Sequence, residues 1–306
     1  MTGTIRAPQR SAFSKPRFPV IRRDHPLAQK LSKCFLFQDL TGTGGAWKCR
    51  DLVSGSVATY TRNNADTGWR QSHSNRPGPF FVMGASGDAV SFLDSSPGVN
   101  FTTEVSVFGL LAPVASFPFL ESMPVSANAA CYAFSSHNSA DSIDGFQVAL
   151  LSTGAWAGIA GPGKVLGARY TGTTISAGEW HSVGGSYIKD GTATYGGQCT
   201  AFLDGVLVAN NNYIGAGSFG GSFGANTAPH IMKHNGSLTS SKVPSLLYVW
   251  NRALSPADFA MLHVTPYMFF HDDVSMRGWV GAVAASSSYK PYWSSQRPRV
   301  HGAGVR

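Results

Sequence analysis

Residues 200–209 read TAFLDGVLVA. Asp204-Gly205 stands between Phe202-Leu203 and Val206-Leu207-Val208, the pattern of a two-residue hairpin whose central residues both take positive φ. The segments upstream of it follow the same pattern. EWHSVGGSYI (179–188) alternates Trp180, Ser182 and Gly184 against His181, Val183 and Gly185, followed by Tyr187. GFQVALLSTGAWAGIAG (145–161) reads as two strands around Ser152-Thr153-Gly154. TTEVSVFGLLAPV (102–114) puts Val105, Val107 and Gly109 on one side, with Phe108 and Leu110 on the other. GDAVSFLDSSPGVNF (87–101) alternates and then breaks at Ser96-Pro97-Gly98, and KCFLFQDL (33–40) is a short strand ending at TGTGG. Many short strands at this spacing, with turn signals between them, predict an all-β sandwich or barrel.

One helix is signposted, in NRALSPADFAMLH (251–263). Ser255 is a good N-cap, and Pro256 takes the first helical position, where no N–H is needed. Asp258 faces the positive end of the helix dipole. Leu254 before the cap and Phe259 at the fourth position form a hydrophobic staple, and Pro266 ends the helix.

Composition agrees with this reading. In 306 residues, charged side chains make up only 13%, against 43% hydrophobic residues and 35 glycines. That excludes a helical bundle or a disordered chain. No apolar run approaches the roughly 18 residues of a membrane span. The basic N-terminus lacks the apolar stretch of a signal peptide, so a soluble protein is expected. Cysteines at 34, 49, 131 and 199 show no CxxC spacing and read as reduced, packed thiols, with a Cys34–Cys49 bridge as the alternative.

Charge is divided along the chain. Residues 1–33 carry Arg6, Arg10, Lys15, Arg17, Arg22, Arg23, Lys30 and Lys33 against Asp24 alone, a net of +7. Residues 274–306 carry Arg277, Lys290, Arg297, Arg299 and Arg306 with no acid, a net of +5, and the body 34–273 has a net of −4. Pro8, Pro16, Pro19 and Pro26 exclude a long helix or a central strand from the first segment. It is therefore read as an extended basic arm, either a disordered tail or one docked on an acidic partner or on its own sandwich. Three segments are expected: arm 1–33, sandwich 34–273 and basic tail 274–306.

Taken in order, AVSFLD…FTTEVSVFGLL, GFQVALLS, GEWHSVGGSY, CTAFLDGVLVA and SLLYVWNRALSPADFAMLHVTPYMFF resemble the laminin-G-like, concanavalin A-like family. The resemblance covers roughly 34–270 and implies a jelly roll of two antiparallel sheets closed by a short helix. The chain departs from the family pattern at Asp258, where a Glu is usual. HPLAQKLSKCFLF (25–37) and YKPYWSSQRPRVHGAGVR (289–306) are similar to bacteriophage-encoded members, which implies a virion-associated protein.

Most catalytic motifs are missing. Glycosidases of this fold use paired carboxylates on alternate strand positions, and no E-x-D-x-E pattern occurs. Glu appears only at 104, 121 and 179, and Glu179 beside Trp180 reads as the start of a strand. GIAGPGKV (158–165) superficially fits a phosphate loop, but Val165 replaces the Mg²⁺-holding Ser/Thr and Pro162 removes a cradle N–H. No G-x-S-x-G or HExxH motif is present, and His271-Asp272-Asp273 reads as a solvated loop. The chain is expected not to be an enzyme. SHNSADSIDGF (136–146) offers Asn138, Asp141 and Asp144 as hard oxygen ligands for Ca²⁺, against an ordinary Asx-rich turn. No other cofactor is implied. Trp69, Trp156 and Tyr213 lie near turns, where aromatics stack on sugars in this fold; core packing is the alternative for each.

The leading expectation is a non-enzymatic virion structural protein, assembled in the bacterial host cytoplasm as a capsid decoration or a tail or fibre component. Arg6, Arg10, Lys15, Arg17, Arg22, Arg23, Arg297, Arg299 and Arg306 would anchor it to other virion proteins or to copies of itself. The alternative is a carbohydrate-binding adhesin for host surface glycans. Nucleic acid is a weaker partner, because aromatics among the tail cations are limited to Tyr289, Tyr292 and Trp293.

Overall fold

The computed structural model describes residues 19–37, 41–43, 46–61, 69–70, 80–81, 92–94, 103–113, 130–135, 145–151, 154–161, 164–175, 180–189, 197–211, 213–214, 230–231 and 242–271. The strands are β1 (Leu31–Leu36), β2 (Thr41–Thr43), β3 (Ala46–Arg50), β4 (Val57–Thr61), β5 (Trp69–Arg70) and β6 (Phe80–Phe81). Next come β7 (Phe92–Asp94), β8 (Glu104–Pro113), β9 (Ala130–Ser135), β10 (Gly145–Leu151), β11 (Gly154–Gly161) and β12 (Lys164–Tyr170). The last are β13 (His181–Lys189), β14 (Gly197–Leu203), β15 (Val206–Asn210), β16 (Tyr213–Ile214), β17 (His230–Ile231) and β18 (Lys242–Trp250), followed by helix α1 (Pro256–Val264).

These strands form two large sheets, as the sandwich reading expects. One has six strands in the order β1-β18-β8-β13-β14-β15, and the other has ten, β16-β12-β11-β10-β9-β17-β7-β4-β3-β2. Every pairing is antiparallel. The architecture is a jelly-roll β-sandwich with one short helix. Asp204 (φ 51°) and Gly205 (φ 76°) form the expected hairpin turn, with Leu203 opposite Val206.

Alternation along β13 explains how the layers meet. Gly185 faces the larger sheet, where a Cβ would lie 2.3 Å from Ala157 Cβ and 3.0 Å from Val148 Cγ2. With Ala155, Ala157, Ala168 and Ala201 all buried, small residues let the two sheets approach closely. Gly184 faces the other way, onto the Phe259 ring of α1. The six-stranded sheet is therefore covered on both faces. That is why residues 105–110 of β8 and 246–250 of β18 are buried without a break, although the β8 sequence alternates.

The outer layer is built by α1, the segment 266–270 and the N-terminal segment. On the sheet side it meets Cys34, Phe108, Leu110, Phe202, Leu246, Tyr248 and Trp250. On the other side lie Ile21, Leu27, Phe259, Leu262, Phe269 and Phe270. Residues 19–33, grouped with the arm on sequence, thus pack on the protein's own sandwich. Trp250 Nε1 donates to Leu27 O (2.6 Å), and Arg252 donates to Gln29 O (3.3 Å) and Pro26 O (3.2 Å). Arg22 N donates to Phe269 O and His271 N to Val20 O, which ties this strap to the chain beyond α1.

The helix cap forms as expected. Ser255 Oγ accepts Asp258 N (3.2 Å), and Asp258 Oδ2 accepts Ser255 N (2.9 Å), so the shorter Asp closes the capping box that Glu usually completes. Cys34, Cys49 and Cys199 are buried thiols outside any disulfide among the described residues, so no Cys34–Cys49 bridge forms. Cys49 Sγ donates instead to Leu36 O (3.6 Å). Lys33 also departs from its expected role. It was counted among the arm's cations, yet it is buried in β1 with Nζ 3.6 Å from Asp51 Oδ2.

Candidate functional site

The outward face of the larger sheet, turned away from the six-stranded sheet, carries the best candidate. Because Ala155 and Ala157 point inward, Trp156 and Gly158 on β11 point outward. Register aligns Gln147, Gly158, Gly167 and position 213 in one cross-strand row, and position 132, Ala149, Trp156 and Arg169 in the adjacent row. Of the three aromatics singled out on sequence, Trp156 stands on this face, and residue 213 takes a register position in the neighbouring row. Trp69 does not share it. Trp69 lies in a separate two-stranded sheet, β5 with β6, opposite Phe81.

Trp156 is half-buried, and its indole lies against Gly167. A Cβ on Gly167 would come within 2.4 Å of Trp156 Cη2 and 2.9 Å of Ala157 O. The glycine leaves the room over position 167 that the edge of the ring occupies. Gly158, opposite Gly167, adds a second position without a side chain. Beside the indole, Arg169 is exposed, and Gln147 is only 2% exposed with an Nε2 that has no hydrogen-bond partner among the described residues. A buried amide donor left unmet costs about 1–3 kcal/mol. A half-buried apolar ring beside an exposed guanidinium suits a polyhydroxylated ligand with apolar C–H faces, which stacks on the ring and accepts hydrogen bonds; the Gln147 amide lies beneath that surface. Sequence reasoning had Trp156 and Tyr213 but missed Gln147 and Arg169, because neither belongs to a motif and only the register brings them together.

A second polar cluster joins β13, the β14–β15 turn and α1. His181 Nδ1 lies 2.9 Å from Asp204 Oδ2, Asp204 Oδ1 accepts Ser182 N (3.0 Å), and Ser182 Oγ lies 2.9 Å from His263 Nδ1. Serine, histidine and aspartate are all present, but they do not form a relay. The histidine on Ser182 is not the one held by Asp204, and Ser182 is 2% exposed. The cluster ties the hairpin to the helix.

Asn138, Asp141 and Asp144 lie outside the described residues, as do Arg6, Arg10, Lys15, Arg17, Arg297, Arg299 and Arg306. Among the described residues, no group of three or more His, Cys, Asp or Glu side chains is placed to hold a metal ion. Of the expected anchors, Arg22 Nη2 lies 3.3 Å from Asp24 Oδ2, and Arg23 donates to Val53 O (3.4 Å). A backbone hydrogen bond, and then the Arg22 side chain, lower the pKa of Asp24.

No family model and no curated protein matches the chain. Among solved structures, domain 4 of AbnA, a GH43 extracellular arabinanase from Geobacillus stearothermophilus, in complex with arabinotriose, is 15% identical. That match covers 76% of this chain and 98% of that one, with a TM-score of 0.49. The receptor-binding domain of botulinum neurotoxin type G is 11% identical over 77% of this chain and 51% of that one, with a TM-score of 0.46. Trypanosoma rangeli sialidase is 10% identical over 83% and 36%, with a TM-score of 0.46. The chain thus spans about half of the neurotoxin domain and about a third of the sialidase.

Proposed function

We propose that this chain is a non-catalytic carbohydrate-binding module whose sugar site is the outward face of the larger sheet. The observation that carries this reading is the half-buried Trp156 indole laid on Gly167, with the exposed Arg169 opposite it in register. The ring supplies an apolar platform, and the guanidinium supplies donors for hydroxyl or carboxylate oxygens. Trp156 is the anchor of the site. Truncating such an anchor typically costs 2 kcal/mol or more, about thirtyfold in affinity. A glycan array probed with the full chain, then with Trp156→Ala, tests the reading. A signal lost in the variant supports it, and an array blank for the folded wild-type protein refutes it.

A second reading concerns where the module works. The division of charge, +7 and +5 at the ends against −4 in the body, favours attachment of the basic ends to an acidic assembly. With the flanking resemblance, this supports a bacteriophage virion component that displays the sugar site. Mass spectrometry of purified virions tests it: hundreds of copies would mean capsid decoration, tens a tail or fibre part, and absence would refute it.

A further inference from the structure

We propose that His25 is a pH-sensitive latch on the N-terminal strap. His25 Nδ1 accepts the Leu27 N–H (3.1 Å) and caps a single 3-10 turn, Pro26–Ala28. The Pro26 and Leu27 carbonyls of that turn are the ones bound by Arg252 and Trp250. The cap therefore shapes the piece of backbone that bolts the strap to β18 and the chain after it.

An Nδ1 that accepts a hydrogen bond carries no proton, so protonation turns the acceptor into a donor facing another donor. The charged groups around the ring are Arg22 and Asp24 from the strap. Behind Asp24 lies His271, from the chain beyond α1. The Phe269 ring, 6.5 Å away, forms the apolar wall. Burial is the largest influence on the imidazole, and Arg22 adds to it; both disfavour the charged ring, while Asp24 opposes them, and the pKa falls below the ordinary 6.5. The sign follows from linkage: the unfolded ring binds its proton at higher pH than the folded ring does. The stability from the neutral ring is complete above about pH 6.5 and is lost as pH falls through the folded value.

The remaining bolts do not titrate with this ring. Trp250 and Arg252 keep their carbonyl partners, and Leu27 stays 1% exposed in the closed strap. Acid therefore loosens the strap locally and leaves both sheets in place. The loosening is confined to the turn at Pro26–Ala28 and the residues before it, Arg22 and Arg23 among them, while the Trp250 and Arg252 bolts hold the strap on the sandwich.

Hydrogen exchange of the full-length protein, read by mass spectrometry over residues 20–31, tests the latch at about pH 7.5 and about pH 5.5 after correction for chemical exchange rates. Losing a capping bond of ordinary size predicts about fivefold faster strap exchange in the wild type at the lower pH. A peptide from β8 should be unchanged. His25→Asn keeps a capping acceptor that does not titrate, so its strap exchange should be flat with pH, and His25→Ser serves the same purpose should the Asn variant fold poorly. Wild-type exchange that is the same at both pH values overturns the proposal. So does an Asn or Ser variant with the wild-type pH dependence, which would transfer the effect to His271 or Asp24.

Discussion

Phe259 of α1 occupies the space that a side chain on Gly184 of β13 would fill: a Cβ there would lie 2.4 Å from Phe259 Cε1 and 2.6 Å from Cδ1. The row Cys34–Tyr248–Phe108–Gly184–Phe202 crosses the six-stranded sheet in register, and only at 184 is there no side chain. Phe259 enters that gap and stacks on Phe202 with centroids 3.9 Å apart. Gly184→Ala should destabilise by about 1–3 kcal/mol through overpacking. Phe259→Ala should cost about 3–5 kcal/mol through the cavity it leaves. In the double variant the new methyl enters that cavity, so the two costs should sum to more than the double variant loses. Urea unfolding of all four proteins checks this, and strict additivity would refute it.

Lys33 and Asp51 make a different kind of join. Asp51 is fully buried, and Oδ1 accepts Cys34 N (2.8 Å) and Val53 N (3.0 Å) while Oδ2 accepts Ser54 N (3.2 Å) and faces Lys33 Nζ. Asp51→Ala removes the acceptor of three buried or half-buried backbone donors together with the carboxylate facing Lys33, and should cost about 3–5 kcal/mol. Lys33→Met keeps the apolar stem and leaves a carboxylate that still accepts several N–H groups, so its cost should be clearly smaller. Equal losses in denaturant unfolding would mean that the ion pair, not the hydrogen-bonded carboxylate, holds the loop.

Cys34 and Tyr248 stand opposite each other in register and are both fully buried. Burial is the main reason each pKa is pushed well above its ordinary value of 9.0 or 10.0. Folding therefore favours the neutral thiol and phenol. Their contribution is complete below about pH 9 and is lost as pH rises, because only the unfolded chain readily gives up these protons. The midpoint of urea unfolding should fall steadily above about pH 9, and less steeply in Cys34→Ala. In native protein at pH 8 the thiol should resist alkylation, and rapid labelling of Cys34 would contradict its burial.

Local signals were legible in the sequence, and non-local ones were not. The Asp204-Gly205 turn and the Ser255–Asp258 cap each depend on residues within four positions, so their chemistry is written in adjacent letters. The strap depends on Trp250 reaching Leu27, which is 223 residues away, and on the Phe269 and Val20 carbonyls. Prolines at 19 and 26 signal only an extended backbone and say nothing of the wall that receives it. Lys33 looked like one more arm cation because its partner lies across a turn in another strand pair. The candidate site was half visible: Trp156 and Tyr213 drew notice as aromatics near turns, but Gln147 and Arg169 acquire meaning only from cross-strand register.

That register supplies a test that separates the shape of the platform from its presence. Gly167→Ala leaves Trp156 and Arg169 in the sequence but puts a methyl where the indole now rests, 2.4 Å from Cη2, and crowds Ala157 O. The backbone dihedrals there suit alanine, so the cost is steric: the ring must lift or tilt, and the Ala157 carbonyl, 2.9 Å from the new methyl, must give as well. Should sugar binding depend on the indole resting at Gly167, Gly167→Ala should lose most of the affinity that Trp156→Ala loses, with a modest stability cost of about 1–3 kcal/mol. Gln147→Leu removes the buried unmet amide at nearly constant volume. It should leave the fold unharmed or slightly stabilised, and because Gln147 is buried beneath the face, sugar affinity should stay as in wild type. Calorimetric titration with an array-selected sugar, beside urea unfolding, reads both quantities. A Gly167→Ala protein that binds as tightly as wild type would move the site off this face.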